Sequence, residues 1–360
     1  MAEYTENFQL IKPGAEDHYN VADFNGNADV IDRQLKLAAE TGKTAEELVK
    51  DLAELIEEFN AVALLLKPVV TVLAPAGTSV SFVKGGVTVQ GVAGADHEVN
   101  LALPEIGEWQ MNYQYGGADY GRVVDVAHYG GTVVTAAPAL AASPWAYIDK
   151  VSREGLAREA FKIGDEKTIA VGGAEYEVVL LGYDHDDLAA PSGGRSKAGM
   201  TFQLKHCLAA PHPWHSDEEY TGGWVDSELR VQTLNNVLAG LETELRSVIK
   251  PVLKSTPSPL YSYKAAPQVT EDKLFVLSEI EVWGEIFESS PYIRVDQRYE
   301  YYRLGFTTRK SVDDDMVSWW LRSPRWNSKI GGGCVVYEHI MSTSTVTSTS
   351  SKYVSFAFCV

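Results

Sequence analysis

At Pro68 the hydrophobic period of this chain changes, and no single architecture accommodates both sides of the change. Upstream, Leu48, Leu52, Leu55, Phe59, Val62 and Leu66 recur at alternating steps of four and three, the a/d stripe of a helix that packs along a seam. Thr44, with Glu47 three residues on, forms a capping box that starts this helix, and Pro68 stops it. An earlier helix is expected within residues 15–40, with Asp23 as its cap.

From Val69 to about Ala137 apolar residues instead alternate with polar ones, in "VVTVLAP", "SVSFVKGG", "VTVQGVAG", "HEVNLALP", "GEWQMNYQYGG", "GRVVDVAHYGG" and "TVVTAA". Short alternating strands between Gly and Pro turns predict a small immunoglobulin-like β-sandwich. "PALAASP" reads as a linker leading into a short helix near residues 145–160.

Beyond Phe161 strands and helices mix without a regular βαβ alternation. "KTIAVGGAEYEVVLLGYDHDD" predicts a hairpin about a Gly-Gly turn, "SELRVQTLNNVLAGLETELRSVI" one amphipathic helix ending before Pro251, and "DKLFVLSEIEVWG" a further apolar segment. The fold class is α+β. Four segments follow: an N-terminal helical, coiled-coil-forming segment 1–67, a sandwich 68–140, a linker helix 141–160 and a C-terminal domain 161–360. With no repeat of 20 to 50 residues, a solenoid or β-helix spike is not expected.

Composition excludes several function classes. The chain has 360 residues, 45% hydrophobic and 22% charged, and a net charge of −18, so an extended nucleic-acid surface would be self-repelling. No nucleic-acid partner and no membrane insertion are expected, since the longest wholly apolar run, Ala61 to Leu66, is far too short to span a bilayer. "MAEYTENFQL" lacks a basic region followed by an apolar stretch, so no export signal is expected. The 3 cysteines, Cys207, Cys334 and Cys359, have no CxxC spacing and read as buried thiols, with a Cys334–Cys359 bridge open only to an oxidising environment.

Candidate chemistry is sparse. Asp184, His185, Asp186 and Asp187 in "GYDHDDL" could ligate a metal or act as an acid/base pair, but they match neither an EF-hand loop nor HExxH and read better as a capped turn. His206, Cys207, His212 and His215 are spaced irregularly around two prolines, and Asp313 to Asp315 read as a solvated turn. Nucleophile elbows, phosphate loops and dinucleotide fingerprints are absent. No catalytic residue, cofactor or metal is therefore expected. In "SWWLRSPRW", Trp319, Trp320 and Leu321 read as core and Arg322 as a scaffold residue.

Several motifs in order, "KIGDEKTIAVGGAEYEVVLLGYDHDDL", "KAGMTFQLKHCL", "GGWVDSELR", "KLFVLSEIEVWG", "YEYY", "WWLRSP" and "SFAFCV", resemble a domain common in gut bacteria and their phages. The stretch 161–360 is similar to the C-type lectin-fold variable proteins diversified by retroelements. Residues 1–67 resemble the virion-attachment end of phage tail or fibre proteins. The resemblance implies a C-type lectin-like domain with a variable region at about 319–360. Its fixed framework would be Trp319 to Pro324, Cys334, Val336 and the closing "SFAFCV". Its ligand-facing positions would be Arg325, Trp326, Asn327, Ser328, Lys329, Ile330, Tyr337, Glu338, His339, Ile340, Met341, Ser342, Ser344 and Tyr353, the last open between variable and framework roles. Aromatics, Met and Arg among small polar residues are also the composition of adaptable binding surfaces.

The implied function is a non-enzymatic receptor-binding protein of a phage tail, assembled in the bacterial host cytoplasm and carried on the virion. Its partners would be a cell-surface protein or glycan receptor and other tail proteins, and it would form a homotrimer through the helical end. The alternatives are a bacterial surface or secreted adhesin and an oxidase on the same fold. The oxidase needs two neighbouring cysteines, whereas Cys334 and Cys359 are 25 positions apart. The Ser/Thr-rich run "MSTSTVTSTSSK" would then be a tolerant part of the binding face, held between framework strands.

Overall fold

The computed structural model describes residues 3–4, 11–12, 21–41, 47, 49–56, 67–129, 131–217, 222–257, 267–285, 297–324, 332–336 and 343–360. The chain is mixed α/β, about 24% helix and 41% strand in several small sheets. It divides into two compact units, Met1–Ala136 and Ala137–Val360.

In the first unit a helix spans Val21–Thr41, beginning before Asp23, which therefore lies inside its first turn rather than capping it. Residues 49–56 are helical, while Thr44 and Leu48 lie outside the described residues. After Pro68 the alternation forms two sheets. Glu98–Ala102, Val69–Leu73 and Thr132–Thr135 make one, with Val69–Leu73 central; Val87–Val92, Ser79–Lys84, Gly107–Tyr115 and Ala118–Val126 make the other. Both inner faces share one core, in which Val70 and Val72 from the first sheet meet Phe82, Trp109, Met111 and Val126 from the second. Period-two burial is what creates these faces, because successive side chains point to opposite sides of a strand.

The second unit is built around a five-stranded sheet in the order Glu166–Val171, Ala174–Tyr183, Met200–Leu204, Ala357–Cys359, Leu274–Phe275. The closing "SFAFCV" is thus an inner strand, paired on both sides. The Gly-Gly hairpin is present, with Gly172 and Gly173 at φ 59° and 87°, the left-handed pair that a two-residue hairpin turn requires. Asp313 and Asp314 make the same kind of turn, at φ 49° and 68°, between Lys310–Val312 and Asp315–Val317.

Two expectations are corrected. The helix expected within a linker, Trp145–Arg153, belongs to the second unit: Trp145 is buried and meets Phe202 and Phe358 edge-on at 5.5 and 5.8 Å. The helix expected over 227–249 is broken into a π-helical turn Leu229–Leu234, a helix Asn235–Gly240 and a helix Thr243–Val248. The break lies where the Gly240 carbonyl accepts a 2.8 Å bond from Gly172 N and Leu241 bridges to Val171. Docking against the hairpin outweighs continuation of the helix at a residue of poor helix propensity.

Helix Trp145–Arg153 approaches the sheet at Gly199, where a Cβ would lie 2.8 Å from the Ser152 carbonyl oxygen and 2.9 Å from its Cα. Gly199→Ala is expected to lower stability by about 1–3 kcal/mol, the cost of overpacking against backbone. Urea unfolding of the variant checks this; an unchanged midpoint would show that the helix can shift freely.

Candidate functional site

The sequence cluster around Asp186 is the centre of a buried ionic network. Asp186 follows the strand Ala174–Tyr183; Lys254 lies on Val252–Thr256, Glu281 on the helix Glu279–Trp283 and Arg322 on Trp319–Pro324. All four side chains are at most 4% exposed. The position of Glu281 comes from local chemistry. Ser278 caps the helix, its hydroxyl accepting from Glu281 N, while Glu281 Oε2 accepts from Ser278 N at 2.8 Å. That capping box turns the carboxylate toward Arg322 and Lys254.

Asp186 accepts from the Lys254 ammonium, from Tyr299 OH at 2.8 Å, from Thr201 Oγ1 at 2.6 Å and from Cys359 Sγ at 3.2 Å. Glu281 accepts from Lys254 at 2.9 Å and from both terminal nitrogens of Arg322. Arg322 also donates to the Val276 carbonyl at 3.2 Å. Burial alone would raise both carboxyl pKa values. At Asp186 the charges and hydrogen bonds of Lys254 and His185 together outweigh it and hold the carboxyl well below the usual range, and Arg322 with Lys254 holds Glu281 at about 2. Burial likewise opposes the Lys254 ammonium, and the charges of Asp186 and Glu281 more than offset it, so its pKa is raised.

His185 flanks the network, stacked on Tyr299 at 3.8 Å. Its Nε2 lies 2.8 Å from the Gln297 carbonyl and its Nδ1 3.3 Å from Asp186 Oδ1. Both nitrogens face acceptors, which suits the imidazolium. Burial lowers the pKa of His185, but the hydrogen bond and charge of Asp186 prevail and it is raised.

Among the described residues the metal-ligand grouping is His185, Asp186 and Glu281, with ligand atoms within 4.8 Å of one another. The cation between the two carboxylates is already supplied: Lys254 Nζ bonds both. Cys359 is a free buried thiol rather than half of a bridge to Cys334, and burial with the nearby Asp186 charge pushes its pKa well up. It acts as a protonated donor, not as a thiolate nucleophile. His206 is bonded to Ser311 at 2.9 Å, and His215 Nδ1 accepts from Asp217 N at 3.0 Å.

The network anchors the expected framework. Every residue from Trp319 to Pro324 is buried. Trp320 Nε1 donates to the His212 carbonyl at 2.7 Å, and Trp214 meets Trp224 and Trp320 edge-on at 5.8 and 5.5 Å. Trp319–Pro324 pairs with Gly332–Val336, which pairs with Thr343–Thr347. Most of the Ser/Thr run is therefore strand and tight turn: the Ser348 hydroxyl donates to the Asp217 carbonyl at 2.7 Å, and Ser351–Lys352 pairs with His212–Pro213.

Of the expected ligand-facing residues, Arg325 to Ile330 and Tyr337 to Ser342 lie outside the described residues. Ser344 sits in the strand opposite Val335. Tyr353 is half-buried, its backbone donating to Ser318 O at 3.1 Å and accepting from Trp320 N at 2.9 Å, so its main chain belongs to the framework. The strand ends also separate the two expected segments. Pro324 and Thr347 lie beside one end of Gly332–Val336, and Trp319 and Thr343 beside the other. Segments 325–331 and 337–342 therefore leave from opposite ends of a strand about 13 Å long, rather than from one edge.

Sequence reading flagged Asp186 and Arg322 but missed Lys254, Glu281, Tyr299 and Thr201. The S-x-x-E spacing of Ser278 and Glu281 was the available signal for one of them. A family model described as a domain of unknown function (DUF6273) matches residues 198–360. The match takes in Lys254, Glu281, Tyr299 and Arg322 but not Asp186 or the hairpin of the central sheet, so the folded unit extends beyond it. Neither the curated proteins nor the solved structures give a match.

Proposed function

We propose that this chain is a non-enzymatic binding protein whose C-terminal unit is a rigid frame displaying ligand-contacting segments, in the manner of the C-type lectin-fold variable proteins diversified by retroelements. The observation that carries this reading is the strand Trp319–Pro324, buried at every position and tied through Arg322 to Glu281. The chain runs from this anchored strand directly into Arg325–Ile330. Charged groups that could serve catalysis are instead satisfied by one another inside the frame, which suits display better than chemistry. The two sheets of the first unit, with their common core, fit an immunoglobulin-like spacer.

The setting proposed is a phage tail, with a cell-surface protein or glycan as receptor. In the helical end Leu52 is 42% exposed, and Val49 and Ile56 are 68% and 51% exposed, apolar surface that further copies in a homotrimer would cover. Among the described residues no helix is long and apolar enough to cross a membrane.

Alanine at Trp326, Tyr337 and Ile340 together is expected to leave the melting temperature unchanged and to abolish adsorption to cells the parent protein binds. Aromatic anchors at interfaces are worth about 2 kcal/mol or more each. Restoring either end alone tests whether both segments contribute. Loss of folding would show that these side chains are core, and unchanged adsorption would place the binding face elsewhere. A near-copy of the DNA for residues 325–353, differing only at its adenines and lying beside a reverse-transcriptase gene, would support the retroelement reading.

A further inference from the structure

We propose that the cavity in front of His185 is a second binding site, for an oxyanion carried on a polar, sugar-sized molecule. Its volume, about 600 Å³, falls within the range of small-molecule sites. Most of the lining residues are charged, which selects against an apolar ligand.

Taken pair by pair, the charges do not balance. Asp184 is matched by Arg195, Asp187 by Lys197 at 2.9 Å, and Asp186 with Glu281 by Lys254 and Arg322. Glu300 alone faces two guanidinium groups: Arg158 lies 3.2 Å from one of its oxygens and Arg303 3.5 Å from the other. Arg298 has no carboxylate among the described residues. Its Nε donates to the Val282 carbonyl at 3.0 Å, which leaves its terminal nitrogens without a described partner. Its stem packs on Gly284, where a Cβ would lie 3.4 Å from Arg298 Cδ, so the glycine gives the arginine its place against the wall.

Because Arg195 and Arg322 pair from outside the lining with carboxylates inside it, the ion pairs among the described residues leave guanidinium groups in excess at Glu300 and at Arg298, in a chain whose net charge is −18. The two ring nitrogens of His185 face Asp186 Oδ1 and the Gln297 carbonyl inside the protein, so the hydrogen bonds to a ligand would come from the arginines. Guanidinium groups bind carboxylates and phosphates through paired N–H donors. The negative charge of the whole chain opposes long polyanions, which leaves a compact acidic ligand.

Calorimetric titration of the full chain with glucuronate, glucose 6-phosphate and glucose tests the site. At least one acidic sugar is expected to bind and glucose is not; which acid binds identifies the oxyanion. Arg298→Gln and Arg303→Gln should each weaken binding about tenfold or more, the scale of one charge-assisted hydrogen-bonded pair, with unchanged melting temperature. The Arg303 side chain is 67% exposed, so its variant keeps the test open if Arg298→Gln fails to fold. The triple alanine variant at Trp326, Tyr337 and Ile340 should bind the acidic sugar as the parent does, which separates this site from the displayed segments. Binding of neither acid, equal binding of glucose, affinities unmoved in both arginine variants, or loss of binding in the folded triple variant would each overturn the proposal.

Discussion

Lys254→Met is expected to lower the unfolding free energy of the C-terminal unit by about 3–5 kcal/mol, the usual cost of leaving a buried charge without its partner. The ammonium bonds Asp186 and Glu281 together and lies 3.7 Å from the centre of the Phe275 ring. Methionine fills similar volume but leaves two carboxylates facing each other in a dry interior. Urea unfolding followed by tryptophan fluorescence suits the measurement, because of the 8 tryptophans only Trp109 lies in the first unit. Adding Asp186→Asn should recover part of the loss, since neighbours in one network do not act additively. A loss below about 1 kcal/mol would mean that water reaches the network and screens it as it does surface pairs.

Acidification is expected to remove about 3 kcal/mol through Glu281 alone. Its folded pKa of about 2 lies below its ordinary 4.5, and each unit of difference is worth about 1.4 kcal/mol. A depressed carboxyl contributes fully above pH 4.5 and loses that contribution as pH falls toward 2. Asp186 acts in the same direction. His185 has the opposite sign: its raised pKa contributes fully below pH 6.5 and the contribution fades as pH rises through the folded value. Lys310 is buried against the Leu204 and Lys205 carbonyls, and burial lowers it to about 8 from 10.5, so its share of stability grows with pH across that interval. Unfolding free energies at pH 5, 4 and 3 should fall steadily; a flat profile would show that Glu281 keeps its ordinary pKa.

These two effects centre on residues that patterning conceals. In Val252–Thr256 Leu253 is exposed while Lys254 is buried between Val252 and Thr256; in Gln268–Asp272 Val269 is 60% exposed while Thr270 and Asp272 are buried. An apolar-in reading selects the wrong face of the second strand and cannot choose between Val252 and Leu253 in the first. The inversion is stable because the polar groups meet partners: Asp272 accepts from Trp224 Nε1 at 3.0 Å and from Arg230 Nε at 2.6 Å, and buried polar groups cost little once paired. By contrast, the hairpin at Gly172 and Gly173, the buried Trp319–Leu321 stretch and the paired closing strand were legible, because each depends on local turn geometry or on a run of large apolar side chains.

The sequence by itself determined the change of architecture at Pro68, the alternation that builds the first unit's two sheets, the core role of Trp319, Trp320 and Leu321, and the strand that closes the chain. Hydrophobic period and turn chemistry act over a few residues and can be read along the chain. Only the tertiary structure decided that Asp186, Lys254, Glu281 and Arg322 converge, that the Trp145 helix is core, and that segments 325–331 and 337–342 leave from opposite strand ends. Each depends on pairing between residues tens of positions apart, and Coulomb attraction in a low-dielectric interior depends on distance in space rather than along the chain.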